Sequence, residues 1–278
     1  MDADTVLWKR ALATTKTVVV VLIQGALLLL AMTFAFVPFS YAPSLLGYPV
    51  GYLTYLLYPL LLYLLVWIAN RWFNRVSIRL LGFSPRGLLP HFALGLGLGA
   101  LSVLGVVGLT ALLNPQVSLR LSGLVGFPGN VTILLADVWE TSFSEEFLVR
   151  GFVLPALLRR RMGQHAAALW SAFMFALAHF LMRPLWWLIP IAVTGVFLGY
   201  LYYATGSIWA PVGCHLAMNL VIGLLNRGIL LQALGIEQNL PSLAVLQCGA
   251  YLAITALLWQ VHRRRVEAGV TDSRSHLT

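Results

Sequence analysis

TVVVVLIQGALLLLAMTFAFVPF, from Thr17 to Phe39, carries no charged residue. A helix that spans a bilayer needs about 20 apolar residues, with about 17 tolerable. This run meets that length, and it is too long for the core of a signal peptide, which is about 7–15 residues. The FSYA that begins at Phe39 faintly resembles a cleavage site. The run is read instead as an uncleaved first transmembrane helix.

Seven further apolar stretches follow: Gly51 to Ala69, Phe92 to Leu113, Val131 to Leu158, Ala166 to Leu181, Leu185 to Tyr203, Ile208 to Leu225 and Leu243 to Val261. The fourth of the eight is polar in its middle, and the fifth is short. Composition agrees with a bilayer solvent. Hydrophobic residues make up 60% of the 278 positions and charged residues 10%, with a mean hydropathy of +0.86. A soluble domain carries roughly 25% charged residues. The expected fold is therefore all-α, a single polytopic membrane domain over 1–278 with about eight transmembrane helices. Residues 266–278 are expected to form a short disordered tail.

The net charge of +9 suggests nucleic acid until the basic residues are located. Lys9, Arg10 and Lys16 precede the first run; Arg71, Arg75, Arg79 and Arg86 follow the second. Arg159, Arg160 and Arg161 follow the fourth, and Arg263, Arg264, Arg265 and Arg274 the eighth. With eight spans and the N-terminus inside, all of these fall on the cytosolic side. Only Arg120, Arg183 and Arg227 fall opposite, and Arg150 lies within the fourth run. That asymmetry is what the positive-inside rule describes. The charge is read as topogenic, with both termini cytosolic, probable partners in anionic lipid, and no nucleic acid. The expected location is the plasma (inner) membrane.

Gly95, Gly97 and Gly99 have no βαβ context for a dinucleotide loop and are read as small residues for close helix packing. Cys214 and Cys248 sit in apolar runs and form no disulfide framework. Cys214 is adjacent to His215, about 100° away around a helix, so that histidine is poorly placed to activate the thiol.

Ionisable side chains inside a bilayer need partners or a job. The fourth run carries Asp137, Glu140, Glu145, Glu146 and Arg150; the fifth carries His179; the seventh carries His215 and Asn219. Glu146 and Arg150 are four apart, hence neighbours on one helix face. Glu145 points elsewhere, and its own four-later position is Val149, so its partner must come from another helix. His179 and His215 are the candidates. Asp137 and Glu140, nearer the outer interface, are read as solvated or structural. Each residue alone is as readily structural glue as function. Six of them on three helices in one half of the chain point to a site.

The strings EEFLVRG from Glu145, FALAH from Phe175 and HLAMN from His215 resemble the three motifs of the CPBP intramembrane proteases, also called the Abi family, relatives of the type II CAAX prenyl endopeptidase. The motifs are E-E-x-x-x-R, F-x-x-x-H and H-x-x-x-N, and the resemblance covers about residues 135–225, the expected catalytic core. It implies hydrolysis of a peptide bond in a membrane-associated peptide or protein, with CAAX-type or bacteriocin- or precursor-type substrates. On that resemblance Glu145 is the base, with His179 holding the same water. His215 and Asn219 are oxyanion donors or substrate clamps, and Glu146 and Arg150 hold the helix. The family has been described both as glutamate-dependent proteases and as metalloproteases. No cofactor is preferred, because the sequence has no dedicated zinc-ligand motif; in the alternative a divalent metal such as Zn sits on Glu145, His179 and His215. A proton-coupled transporter and a non-catalytic immunity or binding protein stay open as other classes.

Helical rise sets a test. Glu145 and His179 lie level, about 21 Å from the cytosolic end. His215, about 10 Å from Ile208, is too shallow unless the seventh helix starts below the surface on a re-entrant turn at Ala204 to Ser207. The four groups are then expected to share one cavity open to the cytosol or to the lateral bilayer.

Overall fold

The computed structural model describes residues 3–47, 50–121, 127–180, 182–228, 231–235 and 239–268. Each of the eight apolar runs is helical. The first lies in α1 (Ala3–Leu46), and the second in α2 (Val50–Leu53) and α3 (Tyr58–Ala69), joined by a 3-10 turn. The third lies in α4 (Leu88–Leu113), and the fourth in α5 (Phe127–Leu148) and α6 (Leu154–Arg159). The last four lie in α7 (Gln164–Ala178), α8 (Leu188–Thr205), α9 (Trp209–Asn226) and α10 (Leu240–Glu267). Large apolar side chains such as Leu60, Leu101, Leu112 and Val245 point outward. In water that surface would aggregate; in lipid it is the solvated face. The chain is an all-α integral membrane protein.

The expected count of eight spans is not confirmed. Among the described residues six helical segments are long and apolar enough to cross a membrane: Leu12–Leu46, Val50–Asn74, Ile78–Leu113, Leu185–Thr205, Trp209–Asn226 and Leu240–Glu267. The fourth run carries too many carboxylates in α5. Helix α7 has 15 residues, about 22 Å at 1.5 Å each, against a hydrocarbon core of about 30 Å. At the C-terminus α10 continues to Glu267, so residues 266 and 267 are helical rather than tail. The remainder of the expected tail, 269–278, lies outside the described residues.

Two features position the site. First, α4 and α9 meet backbone to backbone. A Cβ on Gly95 would lie 2.1 Å from the Ala210 carbonyl oxygen, one on Gly99 2.1 Å from that of Cys214, and one on Gly213 2.3 Å from that of Phe92. Gly95 and Gly99 thus let α9 lie against α4, whereas Gly97 faces open space. Second, the chain turns sharply between α8 and α9 at Gly206, whose φ of +73° suits glycine. The segment before α4 covers this turn: the Ile208 amide donates to the Gly82 carbonyl at 3.3 Å, and Trp209 Nε1 donates to the Ser84 carbonyl at 3.2 Å. Ser207 and Ile208 are buried as a result. The start of α9 therefore lies under other chain.

The fourth run is not one regular helix. A π-helical bulge occupies Val149–Val153 between α5 and α6. Such bulges widen one turn and free carbonyls. The buried Asn70 side chain donates to the Gly151 carbonyl at 2.8 Å and to that of Val66 at 2.9 Å, tying α3 to the bulge. Gln24, the polar residue in the first apolar run, accepts from Arg160 at 2.9 Å. A two-stranded antiparallel pair, β1 (Ser118–Leu121) with β2 (Leu231–Leu234), joins the connection before α5 to the one after α9. The all-α reading contains no such pair; it satisfies backbone groups of two connections that meet at one end of the bundle.

Candidate active site

Glu145 and Glu146 leave α5 in different directions, as their 100° separation dictates. Glu146 is fully buried. Its Oε1 accepts from Arg150 Nη1 at 2.9 Å and from His215 Nδ1 at 2.9 Å. Arg150, also fully buried, donates through Nη2 to the Gly195 carbonyl of α8 at 2.6 Å, and its guanidinium lies 5.2 Å from the centre of the Phe175 ring of α7. One buried cation thus ties α5 to α7 and α8 while its carboxylate partner reaches α9. The intrahelical pair appears where the spacing places it. The bond from Glu146 to His215 is additional to that reading.

Glu145 faces the two histidines. Its Oε1 lies 3.7 Å from His179 Nε2 and its Oε2 lies 3.7 Å from His215 Nε2. Both separations exceed a direct hydrogen bond. Glu145 Oε2 is buried with no hydrogen-bond partner among the described residues. The ring nitrogens turned away from Glu145 face acceptors, the Phe175 carbonyl for His179 Nδ1 at 2.9 Å and Glu146 for His215. In a neutral ring each Nδ1 therefore carries the hydrogen, and each Nε2 presents a lone pair to Glu145.

Asn219 lies one turn beyond His215 and donates through Nδ2 to Ser142 Oγ at 3.2 Å. Ser142 is fully buried on α5. Ser142, Gly195 and Phe175 are the members that the charged-residue reading does not select. Ser142 is three residues before Glu145 on the same helix, which is the signal that finds it. Asp137 pairs with Arg227 at 2.9 Å, and Glu140 accepts from Ser144 Oγ at 2.9 Å. Both carboxylates thus have polar partners of their own, and Asp137 is about half exposed. Among the described residues no group of three or more His, Cys, Asp or Glu side chains is placed to hold a metal ion.

Glu145, His179, His215 and Asn219 line one cavity of about 350 Å³, whose other walls include Thr141, Asp137, Arg183 and Arg227. The four groups converge on one cavity. Asp137 and Arg227, both well exposed, sit at the mouth, at the end of α9 away from Trp209. The arginines at 71–86, 159–161 and 263–265 follow helices that finish at the other end.

No curated protein and no solved structure matches the chain. A family model described as type II CAAX prenyl endopeptidase Rce1-like matches residues 127–221. That stretch begins with α5 and ends in α9, and it contains Glu145, Glu146, Arg150, His179, His215 and Asn219. Over residues 127–221, about a third of its length, the chain is therefore similar to the type II CAAX prenyl endopeptidase family, the family that its three motifs resemble.

Proposed function

We propose that the protein is an intramembrane endopeptidase in which Glu145 activates water for attack on a peptide bond. The observation that carries this reading is the placement of Glu145 at 3.7 Å from both His179 and His215 at the floor of one cavity. Glu145 takes a proton from a water that His179 Nε2 also holds by accepting its second hydrogen. The resulting hydroxide attacks the carbonyl carbon, and the carbonyl oxygen becomes an oxyanion. Asn219 Nδ2 has one hydrogen engaged by Ser142 and a second to donate to that oxyanion. His215 Nε2 donates as well when the ring is an imidazolium, with Glu146 as its counter-charge. Glu145 then returns the proton to the leaving amine as the C–N bond breaks. Arg150 and Glu146 keep α5, α8 and α9 in register and fix the His215 ring.

The test is cleavage of membrane-associated peptides by the purified protein in lipid nanodiscs, compared with Glu145→Ala. Loss of cleavage in the variant supports the reading. A protein that cleaves nothing at any substrate loading is a binding, immunity or transport protein instead.

The metal-dependent alternative uses the same residues. The Nε2 lone pairs of His179 and His215 and the Glu145 carboxylate are a donor set that suits Zn, and the Nδ1 bonds to a carbonyl and a carboxylate are the outer contacts such histidines use. When bound, the ion would lower the pKa of a bound water. Glu145, His179 and His215 would first have to draw together from their present spacing. Activity is expected to survive exhaustive chelation; an inactive apo protein restored by Zn would transfer the reaction to the metal.

The orientation we propose places both termini and the arginine-rich end in the cytosol of a plasma-type membrane. Reporter domains fused at each terminus are then active only if they function in the cytosol. Signal from the outer side at either end reverses the assignment, and with it the face from which substrate enters. On this orientation a membrane-associated peptide on the non-cytosolic face is the substrate class that reaches the cavity.

A further inference from the structure

We infer that the arginine-rich end of the bundle carries a built site for the phosphate of an anionic phospholipid headgroup, centred on the Arg160 guanidinium. The site is independent of the reaction at Glu145.

Arg160 follows α6, and its side chain is fixed by neutral groups. Its Nη1 donates to Asn74 Oδ1 at 3.3 Å and to the Ala156 carbonyl at 3.1 Å, and its Nη2 donates to Gln24 Oε1 of α1 at 2.9 Å. Asn74 is buried and donates in turn to Asn70 Oδ1 at 2.9 Å. Asn70 uses both amide hydrogens on the Val66 and Gly151 carbonyls. Every donor in this chain points the same way, from the guanidinium into the π-bulge. A flip of either amide would set buried like groups against each other, so the guanidinium is held rather than free to swing. Of the five N–H hydrogens of a guanidinium, three are engaged here. The Nε–H has no partner among the described residues and reaches the surface, whereas Arg150 Nε is buried. Together with the remaining Nη2 hydrogen it can bond two oxygens of one phosphate.

The charge around Arg160 is uncompensated. Arg159 and Arg161 flank it in sequence, and Arg75 follows Asn74. The arginines in ion pairs among the described residues are Arg150, Arg227 and Arg263, so no carboxylate is paired with these four. Arg75 and Arg161, with φ of +54° and +61°, are the two non-glycine residues of positive φ among the described residues. Both stand at helix ends beside the Asn74–Arg160 bond, in a conformation that glycine adopts at less cost. A free anion and a lipid headgroup share the phosphate, and the adjoining surface selects the lipid. Trp72 is 76% exposed and Phe73 43% exposed on the turn that carries Asn74. Aromatic side chains so exposed in a membrane protein belong at the level of the headgroups. Gln24 lies eight residues past Lys16 within the apolar run of α1, about 12 Å further along the helix. The guanidinium that reaches Gln24 thus lies at the boundary that lipid covers.

The experiment follows thermal unfolding of the full-length protein in nonionic detergent against added phosphatidylglycerol, phosphatidylcholine or inorganic phosphate. A ligand of the folded state raises the midpoint as it fills its site, so each titration yields a dissociation constant. Phosphatidylglycerol is expected to raise the midpoint saturably, and the other two at the same concentration to leave it unchanged. Arg160→Lys keeps the charge but cannot hold Asn74, Gln24 and a phosphate together. It is expected to weaken phosphatidylglycerol about tenfold, the scale of one charge-assisted hydrogen bond. Arg159→Lys, on an exposed side chain, leaves the constant unchanged, and Arg159→Gln weakens it about fivefold, the scale of one cation at an anionic surface. Gln24→Glu supplies a carboxylate to Arg160 in place and is expected to abolish the response, while Arg264→Gln, an equal change in net charge, leaves it. This pair decides the matter if Arg160→Lys does not fold. A constant unmoved by Arg160→Lys, or weakened alike by Gln24→Glu and Arg264→Gln, shows a diffuse patch that reads charge alone and overturns the site. Equal stabilisation by inorganic phosphate gives it to a free anion, and equal stabilisation by phosphatidylcholine gives it to the acyl chains; either result also overturns it.

Discussion

Glu145→Gln is expected to lower peptide hydrolysis by about 10²–10⁴-fold, the span over which a positioned general base contributes. Glutamine keeps the volume and can still hydrogen-bond at this position, but it cannot take a proton from water. The substitution should leave the fold intact, because the Glu145 side chain is a quarter exposed and no other part of the bundle leans on it by a hydrogen bond. Thermal unfolding of the variant in detergent therefore runs with the wild type while activity falls. His179→Asn should lower the rate less, since it removes one contact to the water and leaves the base. Initial rates on a cleaved peptide measure both. Retention of more than about a tenth of the activity by Glu145→Gln would be incompatible with a base in the transition state, and the cluster would then be a binding feature.

The sequence made some of this arrangement legible and concealed the rest for physical reasons. The helices follow from apolar runs, because lipid leaves no alternative for an uncharged stretch of that length. The Glu146–Arg150 pair follows from a spacing of four, which holds on any helix. The isolation of Glu145 follows from the same geometry, and its meeting with His179 and His215 from the cost of leaving it alone. The hydrogen bond from His215 to Glu146 crosses helices, so no local spacing encodes it. The π-bulge depends on Asn70, eighty-one positions from the carbonyl it caps. The roles of Gly95 and Gly99 are visible only once α9 lies against them, since Gly97 looks the same in sequence and meets nothing. The number of crossings and the direction of the cavity mouth are properties of the assembled bundle. Hydropathy counts α7 as a span; its length in the structure does not.

Arg150→Ala is expected to destabilise the protein by about 3–5 kcal/mol, the cost of leaving a buried charge without its partner. Glu146 is fully buried and its Oε1 already serves two donors, Arg150 and His215. With the guanidinium gone, the carboxylate keeps His215 alone, the Gly195 carbonyl loses its donor and the face of Phe175 loses its cation. Arg150→Lys is not a conservative change here. One ammonium cannot reach Glu146 on its own helix and Gly195 on α8 as the two arms of the fork do. Removing both charges separates stability from catalysis. In Glu146→Gln with Arg150→Met no buried ion remains, so most of the stability should return, as replacement of buried ion pairs by neutral groups often allows. Activity should not return, because the carboxylate that sets the His215 ring and balances its charge is gone. Unfolding by denaturing detergent gives the stability difference, and peptide cleavage gives the rate. A single Arg150→Ala that unfolds with the wild type would show that the guanidinium is not the tie between α5, α7 and α8. A double variant that regains full activity would show that His215 works without Glu146, and the oxyanion role assigned to its imidazolium would pass to Asn219 alone.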